Sequence, residues 1–284
     1  MKLLIIGSNG QLGHDFVMQA GIAGHNVVPI DYPQIDICDK SSVESCIDTV
    51  EPEVIVNCAA FTAVDECETK IDMAFALNAD ACGILAMAAQ RHGAALVHFS
   101  TDYVFDGRAS SPYTEESLTN PQSVYGKSKL RGEEMILDSH PNSMIFRIAW
   151  LYGAHGNNFV KTIRKLAASC ASEGKPLKVV NDQFGTPTWT VNVCRQALAM
   201  LDRQERGIFH STSEGFCSWF DFAKEIVAAS GITADVQPCT TEEFPRPAPR
   251  PQYSVLENAR LKAIEANIMP DWREGFNEFL SSEK

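Results

Sequence analysis

The sequence predicts an α/β protein, with a doubly wound parallel sheet covered by helices on both faces and a smaller C-terminal lobe. Two observations lead to this fold class. Through the first half of the chain, short apolar runs alternate with longer helical patterns, as they do in repeated βα units. The apolar runs are also continuous, which is typical of strands buried on both faces of a parallel sheet.

Five such runs predict strands at residues 3–6, 26–30, 54–58, 95–99 and 144–148. Helical patterns between them predict helices at 11–21, 41–50, 72–92 and 123–139. Ser41 and Glu44 have the spacing of a capping box at the start of the second helix. The alternation of strands and helices therefore gives the order of a parallel sheet up to residue 148.

After Trp150 the alternation is weaker. The patterns predict helices at 158–171, 190–201 and 219–230 and strands at 177–181 and 207–211. A proline-rich stretch at 245–251 carries Arg246 and Arg250 and is interpreted either as a solvated linker or as an ordered loop at a site. We expect one domain over residues 1–149, joined by parts of 177–205, and a smaller lobe mainly over 150–284.

Composition excludes several classes of function. The 284 residues carry a formal net charge of −12, which argues against a nucleic-acid partner. No run reaches the roughly 20 apolar residues of a membrane helix, so we expect a cytoplasmic protein without a membrane partner. The nine cysteines form no C-x-x-C pair and the seven histidines show no ligand spacing. We therefore expect no metal site, and we interpret His98, inside a strand pattern, as a core residue.

A glycine-rich turn follows the first strand and opens the first helix, with the sequence Gly7-Ser8-Asn9-Gly10-Gln11-Leu12-Gly13. Glycines in this position allow a tight turn and a close approach of the backbone to a pyrophosphate at the helix N-terminus. The context predicts a Rossmann-type dinucleotide site in the domain at 1–149. The residues expected to touch the cofactor here are Gly7, Asn9, Gly10, Gln11, Leu12 and Gly13.

An acidic residue at the end of the second strand bears on the choice of cofactor. Asp31 lies 24 residues after Gly7, where a carboxylate can bind the ribose hydroxyls and repel a 2′-phosphate. This slightly favours NADH over NADPH. Asp36 and Asp39 are competing candidates for the same role.

Tyr125 and Lys129 are four residues apart, on one face of a predicted helix. A free phenol has a pKa of about 10, and a neighbouring ammonium lowers it by stabilising the phenolate. Such a pair makes a general acid that works near neutral pH. Because the spacing alone is common on helix surfaces, the interpretation depends on the glycine turn and on the Ser100-Thr101-Asp102 segment upstream.

Taken in order, these motifs resemble the extended short-chain dehydrogenase/reductase family. Within that family, the chain is similar to the dTDP-4-dehydrorhamnose reductases over nearly its whole length. The segments that carry the resemblance are residues 59–65 (AAFTAVD), 100–107 (STDYVFDG), 182–188 (DQFGTPT) and 246–256 (RPAPRPQYSVL), together with the glycine turn and the Tyr125/Lys129 pair.

The resemblance implies a role for each matched residue. Tyr125 would donate the proton, Thr101 would hydrogen-bond the substrate carbonyl, and Lys129 would bind the nicotinamide ribose and acidify the phenol. The other residues expected to contact the cofactor are Asp36 and Ile37 beside the adenine, with Ala59, Ala60 and Thr62 on the ribose side. The residues expected to contact the substrate are Thr62, Val64, Thr101, Asp102, Tyr103, Trp150 and Asn158, with Arg246 and Arg250 for the diphosphate.

Some of these residues have structural interpretations that stay open. Trp150 follows a strand and can cap the core, Asn158 can cap a helix, and Asp102 can satisfy loop N–H groups. Lys161 and Arg164 are further candidates for the diphosphate.

The implied activity is NAD(P)H-dependent reduction of the C4 keto group of dTDP-4-dehydro-L-rhamnose, with a dTDP-linked keto sugar as substrate and a homodimer as a family-level expectation. One alternative is a sugar-nucleotide epimerase or 4,6-dehydratase of the same family, although dehydratases follow the Thr-Asp pair with Glu where this chain has Tyr103. A second alternative is a non-catalytic subunit resembling the regulatory subunit of methionine adenosyltransferase.

Overall fold

A six-stranded parallel sheet forms the centre of the protein, as seen in a computed structural model that describes residues 1–203 and 205–283. The strands of these residues are β1 (Lys2–Ile6), β2 (Asn26–Ile30), β3 (Val54–Asn57), β4 (Ala95–Thr101), β5 (Met144–Ile148), β6 (Leu151–Tyr152), β7 (Leu177–Val180), β8 (Phe184–Gly185), β9 (Thr188–Trp189), β10 (Gly207–His210), β11 (Cys217–Ser218) and β12 (Val236–Cys239). The order in the central sheet is β10-β5-β4-β3-β1-β2.

The helices of the same residues surround this sheet. They are α1 (Gln11–Ile22), α2 (Lys40–Val50), α3 (Val64–Cys67), α4 (Ile71–Phe75), α5 (Ala81–His92), α6 (Val124–Ser139), α7 (Phe159–Glu173), α8 (Thr190–Leu201), α9 (Trp219–Ala229), α10 (Ala259–Ala263) and α11 (Trp272–Ser282).

Both faces of the sheet are buried. Successive side chains of β1 point to opposite sides of the sheet and therefore enter two different cores. Leu3 and Ile5 belong to a core shared with α1 and α8, whereas Leu4 and Ile6 belong to a core shared with α2 and α5. The predicted fold class is therefore confirmed. A separate apolar core, built around Tyr152, Phe222 and Trp272, fills the C-terminal lobe.

The strand predicted at 207–211 extends the central sheet. As β10 it pairs with β5 in parallel register, although it lies outside the 177–205 range predicted to join the domain at 1–149. The helix at Thr190–Leu201 packs on α1, because its buried face shares the core of that helix. The boundary at residue 149 remains a prediction.

Three local features differ from the sequence predictions. The capping residue of α2 is Asp39, whose carboxylate accepts the Ser41 N–H at 2.9 Å, so the predicted Ser41–Glu44 capping box is wrong. The predicted helix at 72–92 contains a π-helical segment, Ala76–Asp80. Finally, the helical segment Ile71–His92 is long and apolar enough to cross a membrane, contrary to expectation. Half of its apolar stretch is buried in the protein, and α5 packs in the core.

Candidate active site

The glycine turn brings the backbone of three segments together at the carboxyl edge of the sheet. Gly7 has a φ of +79°, and a Cβ on it would lie 2.6 Å from the Ala59 nitrogen. A Cβ on Gly13 would overlap the Gly7 carbonyl. Helix α1 begins after Gly10 with no side-chain cap and no acidic residue in its first turn. This leaves backbone N–H groups and the positive end of the helix dipole for an anion.

Asp31 is tied to this turn. Its carboxylate accepts the Asn9 N–H at 2.9 Å and the Tyr32 N–H at 2.8 Å. The carboxylate thus already stabilises the turn, whether or not it also meets a ribose. Asp36 is exposed, with one carboxylate oxygen accepting the Cys38 N–H at 3.0 Å, and Ile37 is buried beside it.

The loop after β3 is held by two buried asparagines. Asn57 accepts the Ala59 N–H at 3.1 Å, which places Ala59 and Ala60 beside the glycine turn. Asn78, in the π-helical segment, accepts the Phe61 N–H at 2.8 Å and donates to the Ser128 hydroxyl at 3.0 Å. Of the predicted ligand residues in this loop, Thr62 is exposed and Val64 half-buried.

Thr101, Asp102 and Tyr125 lie together at the end of β4. The Thr101 hydroxyl donates to Asp102 Oδ1 at 2.9 Å and accepts the Tyr103 N–H at 3.2 Å. The rings of Tyr103 and Tyr125 meet edge to face with centroids 5.5 Å apart. To donate to a substrate carbonyl, the Thr101 hydroxyl must turn away from Asp102.

The Tyr125 phenol does not have the low pKa that the sequence suggested. Burial raises its pKa well above the ordinary value, a hydrogen bond with Thr101 offsets part of that rise, and the charge of Asp102 adds to it. Tyr125 therefore holds its proton throughout the neutral range.

The Lys129 side chain contacts groups of strand β4. Its side chain is buried, and Nζ donates to the Phe99 carbonyl at 2.6 Å and lies 3.1 Å from His98 Nε2. Burial lowers the pKa of Lys129. His98, interpreted from sequence as a core residue, is indeed buried, but it also touches the lysine.

The buried carboxyl of Asp102 should make the stability of the folded protein depend on pH. Burial raises the pKa of its carboxyl to about 6, and hydrogen bonds from Thr101 and Ser254 oppose this rise. The folded state thus favours the protonated acid, and its contribution to stability falls as the pH rises from about 4 to about 6. The variant Asp102→Asn should remove this fall in the free energy of unfolding, which amounts to at most about 3 kcal/mol. Denaturant unfolding at a series of pH values measures it. An unchanged slope between pH 4 and 6 would contradict it.

Gly126, next to the tyrosine, lets helix α6 approach the Asp102–Val104 turn. A Cβ here would lie 2.2 Å from the Tyr103 carbonyl oxygen. We expect Gly126→Ala to destabilise the protein by about 1–3 kcal/mol and to displace Tyr125. Gly21→Ala in α1 is the matched control, because nothing lies within 4 Å of its Cβ. The control should stabilise the fold slightly, and equal unfolding midpoints for the two variants would refute the assignment.

Trp150 lies between the central sheet and the lobe with a φ of +48°. Its indole stacks on Trp219 at 3.4 Å between centroids, and Nε1 donates to the Ser254 hydroxyl at 3.2 Å. A Cβ on Gly185 would overlap this indole. The ring is half-buried, so both interpretations of Trp150, core cap and sugar contact, fit its position.

Asn158 caps helix α7, as its structural interpretation proposed. Its Oδ1 accepts the Lys161 N–H at 3.1 Å, and its Nδ2 donates to Gln11 Oε1 at 2.9 Å. Asn158 therefore links the lobe to the glycine turn. Lys161 Nζ binds the Ala154 and Gly156 carbonyls, and Arg164 pairs with Glu283, so these two cations are engaged elsewhere.

The proline-rich loop reaches the site through Arg250. Its guanidinium pairs with Asp65 at 2.9 Å, and the Ala248 N–H donates to the same carboxylate at 3.2 Å. A cavity of about 330 Å³ beside Tyr103 is lined by Arg250 and Arg108. Arg246 is exposed on the same loop.

A group of possible metal ligands consists of His14, Asp15 and His155. The sequence does not reveal this group, because the two histidines are far apart in the chain. The rings of His14 and His155 stack at 3.3 Å between centroids, and Asp15 lies beside them. Their ligand atoms all lie within 4.8 Å of one another. The expectation that the histidines would not cluster is wrong here. Asp15 is also engaged by the Thr190 hydroxyl.

Comparison with known proteins gives a consistent result. The family model described as RmlD substrate binding domain matches residues 1–284. The spore coat polysaccharide biosynthesis protein SpsK of Bacillus subtilis is 40% identical, over 98% of this chain and 96% of its own. Two solved structures of dTDP-4-dehydrorhamnose reductases are similar over 99% of both chains. The enzyme from Clostridium acetobutylicum has a TM-score of 0.95 and 47% identity, and that from Bacillus anthracis, in complex with NADP, has 0.94 and 36%.

Proposed function

Since the chain belongs to the RmlD substrate-binding domain family, we propose that it reduces the C4 keto group of dTDP-4-dehydro-L-rhamnose to the alcohol of dTDP-L-rhamnose, using NADH or NADPH. The observation that carries this proposal is that Thr101 and Tyr125 lie together at the end of β4, at the same edge of the sheet as the glycine turn. The proton donor Tyr125, the hydrogen-bonding group Thr101 and the dinucleotide-binding glycine turn then share one edge of the sheet.

The glycine turn at residues 7–13 fits a dinucleotide. Gly7 and Gly13 leave no room for side chains, and the uncapped start of α1 offers N–H groups to a pyrophosphate. Residues 7 and 9–13 would hold this group, with Ala59 and Ala60 on the ribose side and Ile37 near the adenine. When bound, the reduced nicotinamide supplies a hydride to the carbonyl carbon.

Tyr125 and Thr101 would act on the carbonyl oxygen of the substrate. Tyr125 donates its phenolic proton to the carbonyl oxygen as negative charge develops there, and its raised pKa keeps that proton available. Thr101 supplies a second hydrogen bond to the same oxygen once its hydroxyl turns from Asp102. Lys129 would reach a ribose hydroxyl from its position beneath the site.

On the substrate side, Arg250 is the better diphosphate candidate. It lines the 330 Å³ cavity beside Tyr103 and is partly neutralised by Asp65. Arg246, on the exposed part of the loop, remains a weaker candidate. Trp150 and Tyr103 are proposed to flank the sugar, with Thr62 and Val64 at the opening.

The cofactor preference rests on few contacts. Asp31 still argues for NADH, but it already accepts two backbone N–H groups, and the similar Bacillus anthracis enzyme was solved with NADP. We expect the protein to use both cofactors. A cytoplasmic location stays a proposal from the sequence, and a homodimer stays a family-level proposal.

The test is loss of reduced-nicotinamide absorbance with purified protein and dTDP-4-dehydro-L-rhamnose, run with NADH and with NADPH in parallel. A steady fall that needs the sugar nucleotide supports the proposal. Cofactor binding without any turnover would instead favour the non-catalytic alternative.

A further inference from the structure

The first turn of helix α6, which carries Tyr125, is bound by a side chain from a distant segment. Ser123 caps this helix, and its Oγ accepts the Gly126 N–H at 3.1 Å. The Val124 N–H, directly before the tyrosine, donates to Glu68 Oε1 at 2.9 Å, across 56 residues of sequence. The N–H groups at the start of a helix have no acceptor within the helix. Glu68, which directly follows α3, therefore completes the hydrogen bonding at the start of α6.

The charge of Glu68 also suits this position. The first turn of α6 has no acidic residue of its own, and the positive end of a helix dipole favours an anion. A hydrogen bond to a carboxylate is roughly twice as strong as one between neutral groups. Glu66, two residues earlier, pairs instead with Lys70 at the surface, whereas Glu68 is half-buried. The two acids of this segment thus have different partners, and Glu68 is the one that binds α6.

The segment that carries Glu68 is itself held on its other side. Asp65, in α3, pairs with Arg250 at 2.9 Å and accepts the Ala248 N–H at 3.2 Å. Cys67 is fully buried, and its N–H donates to the Ala63 carbonyl at 3.0 Å. These contacts fix α3 against the proline-rich loop. Glu68 therefore reaches α6 from a segment whose own position is set.

The position of the first turn of α6 matters because Tyr125 is the second residue of the helix. A general acid must lie within hydrogen-bond reach of the oxygen that it protonates. A displacement of about 1 Å can lower the rate by about 100-fold. The Ser128 hydroxyl donates to the Tyr125 carbonyl at 2.9 Å, which binds the tyrosine backbone from the C-terminal side. Val124, bound by Glu68, lies on its N-terminal side.

We propose that Glu68 is a positioning residue for Tyr125. Its carboxylate holds the Val124 N–H and so sets where the first turn of α6, and with it the phenol, lies at the edge of the sheet. Glu68 acts through the helix backbone and does not itself take part in proton transfer. The kinetic part of this inference rests on the proposed function, because it takes Tyr125 as the acid.

The direct test is the ¹⁹F spectrum of full-length protein labelled with fluorotyrosine, with the Tyr125 signal identified by its loss in Tyr125→Phe. The signal should move in Glu68→Ala and in Glu68→Asp, whose carboxylate is one methylene too short to reach Val124. It should stay in place in Glu68→Gln, whose amide oxygen still accepts the N–H. The signal of Tyr152, buried in the core of the lobe, should stay in place in all three variants and report a retained fold. An unmoved Tyr125 signal in either Glu68→Ala or Glu68→Asp would overturn the proposal.

The kinetic test separates positioning from a general loss of stability. Glu68→Ala should lower kcat for the keto sugar by about 10- to 100-fold and leave the Kd of the cofactor unchanged, because the glycine turn is untouched. Glu68→Gln should restore most of the rate. Glu66→Ala is the matched control on the same segment and should react like the parent protein, since it loses only an exposed pair with Lys70. A parent-like kcat in Glu68→Ala, or an equal loss in Glu66→Ala, would overturn the proposal.

A double variant tests whether Glu68 acts through the tyrosine. If it does, Glu68→Ala should lower the residual rate of Tyr125→Phe by less than about twofold, because the two losses are then not independent. Losses that multiply would overturn the assignment. Absence of any reduction in the unmodified protein would instead overturn the proposed function, and the ¹⁹F spectra would still decide whether Glu68 sets the position of Tyr125.

Discussion

Tyr125→Phe is expected to lower the rate of keto-sugar reduction by about 10²- to 10⁴-fold while leaving cofactor affinity nearly unchanged. The substitution removes the only proton donor proposed for the carbonyl oxygen but keeps the ring that meets Tyr103 edge to face. Because a buried phenol becomes a phenyl group, the fold should be retained. Initial rates and cofactor titration on the same preparation measure both quantities.

The control for this variant is Tyr32→Phe, since Tyr32 is 73% exposed and remote from the proton chemistry. That variant should react like the parent protein. If Tyr125→Phe reduced the keto sugar at the parent rate, the assignment of Tyr125 as the acid would be wrong.

Glu133→Ala should cause the largest loss of stability that we predict for a single residue, about 3–5 kcal/mol. Both carboxylate oxygens of Glu133 bind Arg147, and the two side chains are 2% and 4% exposed. Removing the acid leaves the Arg147 guanidinium buried without its counterion, over the Phe105 ring. Denaturant unfolding followed by circular dichroism measures the difference.

The adjacent residue provides a matched control. Glu134 pairs with Arg131 on the same helix, but both side chains are 51% exposed. Glu134→Ala should therefore change the free energy of unfolding by less than about 1 kcal/mol. Equal losses for the two variants would contradict the claim that burial makes the Glu133–Arg147 pair important.

The sheet could be predicted from sequence because each strand is a continuous apolar run with few alternatives. Strands β2 and β5 have the predicted bounds, and the other three early strands differ by one or two residues at an end. The two-residue strands of the lobe, such as β8 and β9, were missed because they are too short for a periodic pattern. The C-terminal helix α11 was not predicted, although Asp271 caps it and its apolar face enters the core of the lobe.

The site was predictable where one segment carries the chemistry and not where distant segments meet. The glycine turn and the Thr101/Tyr125 pair are local motifs, and the structure brings them to one edge. The buried partners of the site come from elsewhere in the chain: Asn57 and Asn78 show no pattern in sequence, and the Lys129 contact with His98 spans 31 residues. The predicted acidification of Tyr125 by Lys129 depends on their spacing together with the glycine turn and the Ser100-Thr101-Asp102 segment, and none of these shows which groups the lysine side chain contacts.

The most direct test of the proposed function is the fate of the transferred hydrogen. Purified protein is incubated with dTDP-4-dehydro-L-rhamnose and, in separate reactions, with NADPH deuterated on one or on the other face of the nicotinamide C4, and the sugar product is analysed by NMR and mass spectrometry. We predict dTDP-L-rhamnose with deuterium at C4 from one of the two labelled cofactors. A product without deuterium at C4 from either cofactor, or with deuterium at another carbon, would contradict reduction of the C4 keto group.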